Sequence, residues 1–155
     1  KKRRRGWRKL HIIIDSQGII HTAIISTGHT RDASRVPPLL KDIKAPISSF
    51  IGDKGYDQGS VYRAVLKNNK EANIVIHPRM NAVLSSNAEW TQRDKHVLKI
   101  LEDGIYSWRR ESGYYQQSRV ENTRGKINLG RKLRARKEEA RQVEAIIGCK
   151  IKLAL

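Results

Sequence analysis

Between Ile47 and Ile76 the chain reads as strand, helix, strand. The apolar run Ile47 to Ile51 is short and closes on Gly52-Asp53. Gly59 to Lys70 then carries Val61, Tyr62, Val65 and Leu66 at helical spacing, with Ser60 as a cap, and Ala72 to Ile76 is a second short apolar run. Two strands joined through a helix are too far apart in sequence for a hairpin. The natural solution is a parallel βαβ unit, which commits the chain to an α/β architecture. It also fixes where chemistry can sit. Asp53 stands where the first of these strands stops and a glycine turn, Gly52-Asp53-Lys54-Gly55-Tyr56-Asp57, begins.

The flanking segments fit the same class. Leu10 to Ile14 and Ile19 to Ser26 are β-branched runs separated by Asp15-Ser16-Gln17-Gly18, the chemistry of an antiparallel hairpin with Asp15 as a turn residue. Asp32 reads as a loop or capping residue, and Pro37-Pro38 open a helix through Leu39, Leu40 and Ile43. Pro78 to Thr91 has no period and reads as a long loop. Gln92 to Leu101 resumes helical spacing through Val97, Leu98 and Leu101, with Gly104 as its stop. A further helix is expected around Glu121, weakened by Gly125, with a break at Gly130. Lys137 to about Leu153 forms the last helix, with Ala140, Val143, Ile146, Ile147 and Ile151 on its apolar face.

Charge sets the partner. Of 155 residues, 32 are Lys or Arg and 15 are Asp or Glu, a formal net charge of +17. So large an excess repels itself unless a polyanion neutralises it, and nucleic acid is the first candidate. A hydrophobic fraction of 38% supports a modest core and excludes a disordered chain. No apolar run approaches the roughly 18 residues of a membrane span, so a membrane partner is not expected. Cys149 is the single cysteine and sits among isoleucines, as a core thiol does. It forms no intrachain disulfide, which suits a reducing cytoplasm. The five histidines show no close metal-ligand spacing. The basic opening, Lys1 to Lys9, reads either as a frayed terminus or as a phosphate-gripping arm in which Arg5, Arg8 and Lys9 contact the backbone and Trp7 packs or stacks.

Two acids stand out against this background. Asp53 is a carboxylate on a rigid strand end, although an aspartate before glycine also makes ordinary turns. Glu121 is one acid inside a basic stretch of Arg119, Arg124, Lys126, Arg131, Lys132 and Arg134. It suits a metal site beside a DNA groove or an internal salt bridge. Metal-assisted phosphoryl transfer needs hard oxygen donors within a positively charged surround.

At these motifs the sequence resembles the catalytic domain of bacterial insertion-sequence transposases of the DDE type, closest to the insertion sequence five family and related to the insertion sequence four group. The likeness runs through Arg4 to His11, Gly52 to Asp57, Pro78 to Val83, Trp108, Ser112 to Tyr115, Ser118 to Thr123 and Leu133 to Arg136. It implies a ribonuclease-H-like mixed sheet flanked by helices, and three acids that bind two Mg2+ or Mn2+ ions. Asp53 is then the second acid and Glu121 the third. The first would lie on a strand before the present Lys1, so the chain is expected to be one catalytic domain, 1–155, truncated at its start and open to truncation at its end. Tyr114 matches the tyrosine seven positions before the glutamate. Gln117 stands where the family has arginine, and Asn128 where it has lysine.

The implied partners are DNA element ends and target DNA, held by a homodimer in a nucleoid-associated, cytoplasmic protein. Arg79 joins the phosphate-contacting residues. The carboxylates of Asp53 and Glu121 are expected within reach of shared ions, roughly 4–8 Å apart. The expected behaviour is salt-dependent DNA binding with weak or no strand cleavage. The alternatives are a non-enzymatic nucleic-acid-binding remnant and a basic RNA-binding protein.

Overall fold

The computed structural model describes residues 7–85, 91–118, 122 and 134–151. It is a mixed α/β structure of small sheets and helices, and it divides into two compact units. One comprises the described parts of Lys1–Arg31 and Arg119–Leu155, the other Asp32–Ser118. Among the described residues no helix is long and apolar enough to cross a membrane.

The first unit is an antiparallel hairpin, β1 (Arg8–Ile14) and β2 (Ile20–Thr27), packed against the last helix, α4 (Glu138–Ile151). Asp15 is the turn residue that the sequence indicated: its Oδ1 accepts the N–H groups of Gln17 and Ile19, at 2.8 and 2.9 Å. The register shifts between Ile13, paired with Thr22, and Ile14, paired with Ile20. This bulge places one extra residue on β2. Ile20 and Ala23, three apart in sequence, therefore reach the same face and pack with Leu10, Ile12, Ile14 and Ile146. His11 is buried with its Nε2 2.7 Å from Ser26 Oγ.

The apolar face of α4 differs from its expected composition. Ala145 is fully buried and Ile146 packs on the hairpin, whereas Ala140, Val143 and Ile147 are exposed. The cause is Gln142. Its side-chain amide accepts the N–H of Ile25 and donates to the carbonyl of Ala23, both at 2.7 Å. Those bonds close the open edge of β2 and turn the helix to present Gln142 rather than Val143. Ile151 and Cys149 have side chains outside the described set.

The second unit holds the expected βαβ arrangement. β3 (Ser49–Gly52) and β4 (Asn73–Ile76) are parallel, in the register Ser49 to Asn73 through Gly52 to Ile76. Before them, a 3-10 turn at Asp32–Arg35 leads into α1 (Val36–Lys41), with proline in its first turn. Between the strands, α2 (Gly59–Asn68) buries Val61, Tyr62 and Val65, the face that its spacing indicated. Ile74, Val75 and Ile76 are all buried, so both faces of β4 are covered. Each fully buried aliphatic side chain here contributes about 1.5–3 kcal/mol relative to exposure.

The long segment α3 (Thr91–Glu111) is two helical stretches joined across a kink at Gly104, whose φ 81° and ψ 165°, in open space, are non-helical. Gly104 thus ends the first stretch, as the sequence indicates, and a second stretch, not expected from the sequence, runs on through Trp108. The buried face also departs from the apolar pattern, since Leu98 and Leu101 are exposed. Val97 and Trp108 are buried, and the polar residues Gln92 and His96 turn inward with them. Gln92 accepts the Ile74 N–H at 2.8 Å and donates to the Ala72 carbonyl at 3.0 Å. His96 Nε2–H donates to the Ile74 carbonyl at 2.8 Å. These bonds replace a neighbouring strand along β4. After α3, Gly113 adopts a left-handed conformation (φ 73°), and Tyr114–Gln117 forms a 3-10 turn where a helix was expected to begin. Of the remainder of the helix expected around Glu121, only Ser118 and Asn122 fall among the described residues, and both are helical.

Two predictions follow from the β4 edge. Gln92→Ala leaves a buried amide and a carbonyl unpaired and should lower stability by about 1–3 kcal/mol in denaturant unfolding. His96 is held neutral: burial depresses its pKa, and its Nδ1 accepts the Trp108 indole N–H at 3.0 Å. A depressed folded-state value means that the unfolded chain binds the proton more readily. The stabilising contribution is therefore complete above the unfolded histidine value of about 6.5 and is lost as pH falls below it. Melting temperatures between pH 7.5 and 5.5 should fall more steeply for the wild-type chain than for His96→Gln, in which the residue cannot charge.

Candidate functional site

Parallel strands end together. Gly52 pairs with Ile76, so the residues that follow them, Asp53 and His77, stand side by side at the carboxyl edge of the β3–β4 pair. The His77 N–H lies 3.4 Å from the Gly52 carbonyl. In open α/β sheets this edge is where ligands bind, because chain reversals beyond the strand ends leave a crevice.

The glycine turn shapes what Asp53 presents. Gly52 is buried, and a Cβ there would stand 3.3 Å from the Phe50 ring and from the Tyr56 side chain, so the small residue lets Tyr56 fold back. Asp53 is extended (φ −76°, ψ 176°) and caps a 3-10 turn at Lys54–Tyr56. Its Oδ1 accepts the Gly55 N–H at 2.7 Å. Its Oδ2 takes no hydrogen bond among the described residues. One oxygen fixes the carboxylate and the other remains as a donor atom, the arrangement of a preorganised oxygen ligand.

Asp32 joins this edge, although sequence placed it only in a loop or cap. Its Oδ2 lies 3.8 Å from the point where a Gly55 Cβ would stand, and Asp53 Oδ1 lies 2.9 Å from the same point. Two carboxylates therefore flank one glycine. Nothing local in the sequence announces this, because the 3-10 turn at Asp32 meets the turn at Lys54–Tyr56 only in the folded unit. His77 had a legible signal: it follows β4 as Asp53 follows β3, and a parallel register brings such residues together.

An aromatic group backs this edge. The His77 ring lies 5.4 Å from Trp108 and 5.7 Å from Tyr114, edge to face, while Trp108 and Tyr114 are 5.0 Å apart. Tyr114, singled out by motif, thus packs behind His77, with the Arg109 guanidinium 6.0 Å from its ring. His77 Nδ1–H donates to the Pro78 carbonyl at 2.6 Å, which sets the ring orientation.

The other sequence-derived site residues fall as follows. Arg8 pairs with Glu138 at 2.6 Å on the surface. The Lys9 ammonium donates to the Thr30 carbonyl at 3.0 Å. Arg79 is exposed on the loop after β4, and Arg134 is exposed before α4. Glu121, Arg5, Arg119, Arg124, Lys126, Arg131 and Lys132 lie outside the described residues, as does the separation of Asp53 from Glu121. Among the described residues no group of three or more His, Cys, Asp or Glu side chains is arranged to hold a metal ion.

Gly55→Ala tests the preorganisation. The added methyl would stand 2.9 Å from Asp53 Oδ1, displacing the carboxylate from the Gly55 N–H. Loss of that bond should cost about 0.5–1.5 kcal/mol in denaturant unfolding and leave the fold intact by circular dichroism.

The sequence profile of the transposase DDE domain matches residues 1–151. No curated protein and no solved structure matches the chain. The profile match covers nearly the whole sequence, and the strand-end carboxylate and the basic charge accord with it. The chain belongs to the transposase DDE domain family, whose members act on DNA.

Proposed function

We propose that this chain is the catalytic domain of an insertion-sequence transposase of the insertion sequence five branch, with a ribonuclease-H-like fold. Its reaction is the metal-dependent cleavage and transfer of DNA strands. The observation that carries this reading is Asp53, a carboxylate fixed by Gly55 at the carboxyl edge of a parallel strand pair. Asp53 and Glu121 act as metal-binding acids. The donor chemistry fits: carboxylate oxygens suit Mg2+ or Mn2+, and Asp32 adds another beside Asp53. Two such ions, when bound, polarise the scissile phosphate and lower the pKa of the attacking hydroxyl.

The residues of the chain then have separate tasks. Gly55 holds the Asp53 carboxylate in place. Arg5, Arg8, Lys9, Arg79, Arg119, Arg124, Lys126, Arg131, Lys132 and Arg134 grip phosphates. Tyr114 supports His77 at the strand end. Hydrolysis at an element end frees a 3′-hydroxyl, which attacks a target phosphodiester and expels that strand's own 3′-oxygen as a hydroxyl, and two copies of the chain hold paired ends. A second reading, DNA binding without catalysis, is favoured by Gln117 and Asn128, which replace a basic residue on either side of Glu121.

The two contributions separate experimentally. The wild-type chain should bind duplex DNA with an affinity that falls steeply with salt, with a log–log slope of about −0.9 per phosphate contacted. Asp53→Asn should weaken Mn2+ binding, followed by the electron paramagnetic resonance of the free ion, by about tenfold or more while DNA affinity stays within about threefold. Unchanged Mn2+ affinity in Asp53→Asn would remove the metal assignment.

A further inference from the structure

Asp57, four residues after Asp53, is buried where Asp53 is only partly so. Its side chain is 0% exposed, and both oxygens are committed. Oδ1 accepts the Arg93 Nε–H at 2.8 Å, and Oδ2 accepts the backbone N–H of Arg79 at 3.1 Å. Arg93 reaches on to the Val83 carbonyl through Nη1 at 3.0 Å, and Asp94 Oδ2 accepts the Ser85 N–H at 3.0 Å. A turn bond from the Ala82 N–H to the Arg79 carbonyl closes the middle. The backbone from 79 to 85 is thus fastened at both ends and at its centre. A buried ion pair is a costly device for fixing an exposed loop.

The side chains that this loop presents are unusual for so firm a mount. Met80 is 98% exposed, Val83 75% and Leu84 50%. Arg79 and Asn81, on either side of Met80, are exposed as well. Single exposed apolar residues are ordinary, but these share one short fastened loop. Methionine is unbranched and adapts its shape to irregular gaps. With a net charge of +17 the protein attracts a polyanion, and the exposed Arg79 puts one of those charges beside the tip. Proteins that deform duplex DNA press such an apolar wedge between base steps from the minor groove, with Arg or Asn beside it reading the groove.

We propose that the loop Arg79–Leu84 is a DNA wedge. Met80 enters between two base pairs, Asn81 holds the minor groove beside it, Arg79 grips the flanking phosphate, and Asp57 and Arg93 are positioning residues that keep the tip from folding away. The inference rests on the reading of the chain as a DNA-acting protein and adds to it a deformation of the duplex.

The test uses the full chain and a short duplex that carries a fluorescent adenine analogue and a dye at each end. Wild-type protein should raise the analogue's fluorescence as its step unstacks, and should draw the dyes together as the duplex bends. Met80→Ala should lose both signals and about tenfold in affinity, with the salt slope unchanged. On a duplex containing a mismatched bubble, already unstacked, wild type and Met80→Ala should bind alike. Arg79→Ala should instead lower the salt slope by about one. Wild-type fluorescence and bending in Met80→Ala would overturn the wedge while leaving the DNA-acting reading intact. So would a Met80→Lys variant that alters the sedimentation of the protein alone, which would mark the tip as a protein contact. Failure of the wild-type chain to bind the duplex at any salt would remove the DNA-acting reading, and the wedge with it.

Discussion

A two-stranded parallel sheet has edges that must be satisfied, and much of the Asp32–Ser118 unit follows from how β4 meets that requirement. Two strands alone are marginal in water, and a buried strand edge leaves amides and carbonyls whose desolvation is not offset. Gln92 and His96 supply the missing partners from one turn of α3. Residues between them face elsewhere: Arg93 grips Asp57, and Asp94 holds Ser85. The same turn therefore completes the sheet and secures the loop beyond it. The helix then carries Trp108 to His96 and to the aromatic group behind His77. The other unit uses the same chemistry, with the Gln142 amide along β2. In both places a neutral side-chain amide stands in for a strand, because it offers one donor and one acceptor at the spacing that a backbone would.

The hexapeptide Gly52–Asp57 carries two aspartates with opposite environments. Asp53 keeps one oxygen on its own turn, at Gly55, and stands at a strand edge. Asp57 is enclosed and spends both oxygens on groups distant in sequence. A desolvated carboxylate persists only with such compensation, and Arg93 together with the Arg79 N–H provides it. Two chemically identical side chains thus differ according to their surroundings alone, one held at a strand edge by its own turn and the other enclosed as a fastener.

Much of this was legible in the sequence. The hairpin, the βαβ order and α2 follow from period and turn chemistry, and their observed limits lie within a few residues of those expected. Asp53 at a strand end follows from the same pattern. What escaped has a common cause. The inward faces of α3 and α4 are set by polar residues that cap strand edges, so an apolar count selects Leu98, Leu101, Val143 and Ile147, which are exposed. Gly104 ends the first stretch of α3 as it reads in the sequence, but no apolar period announces the second stretch that carries Trp108. The approach of Asp32 to Gly55, and the bond from Trp108 to His96, depend on tertiary meetings that carry no local period.

The three points that fasten the 79–85 loop engage the Arg79 N–H, the Val83 carbonyl and the Ser85 N–H, all of them main-chain atoms. The path of the loop is therefore nearly independent of which side chains it bears. A change of side chain at its tip leaves each of these anchoring bonds in place. The loop thereby separates the surface it presents from the contacts that hold it, so that one can be altered without the other.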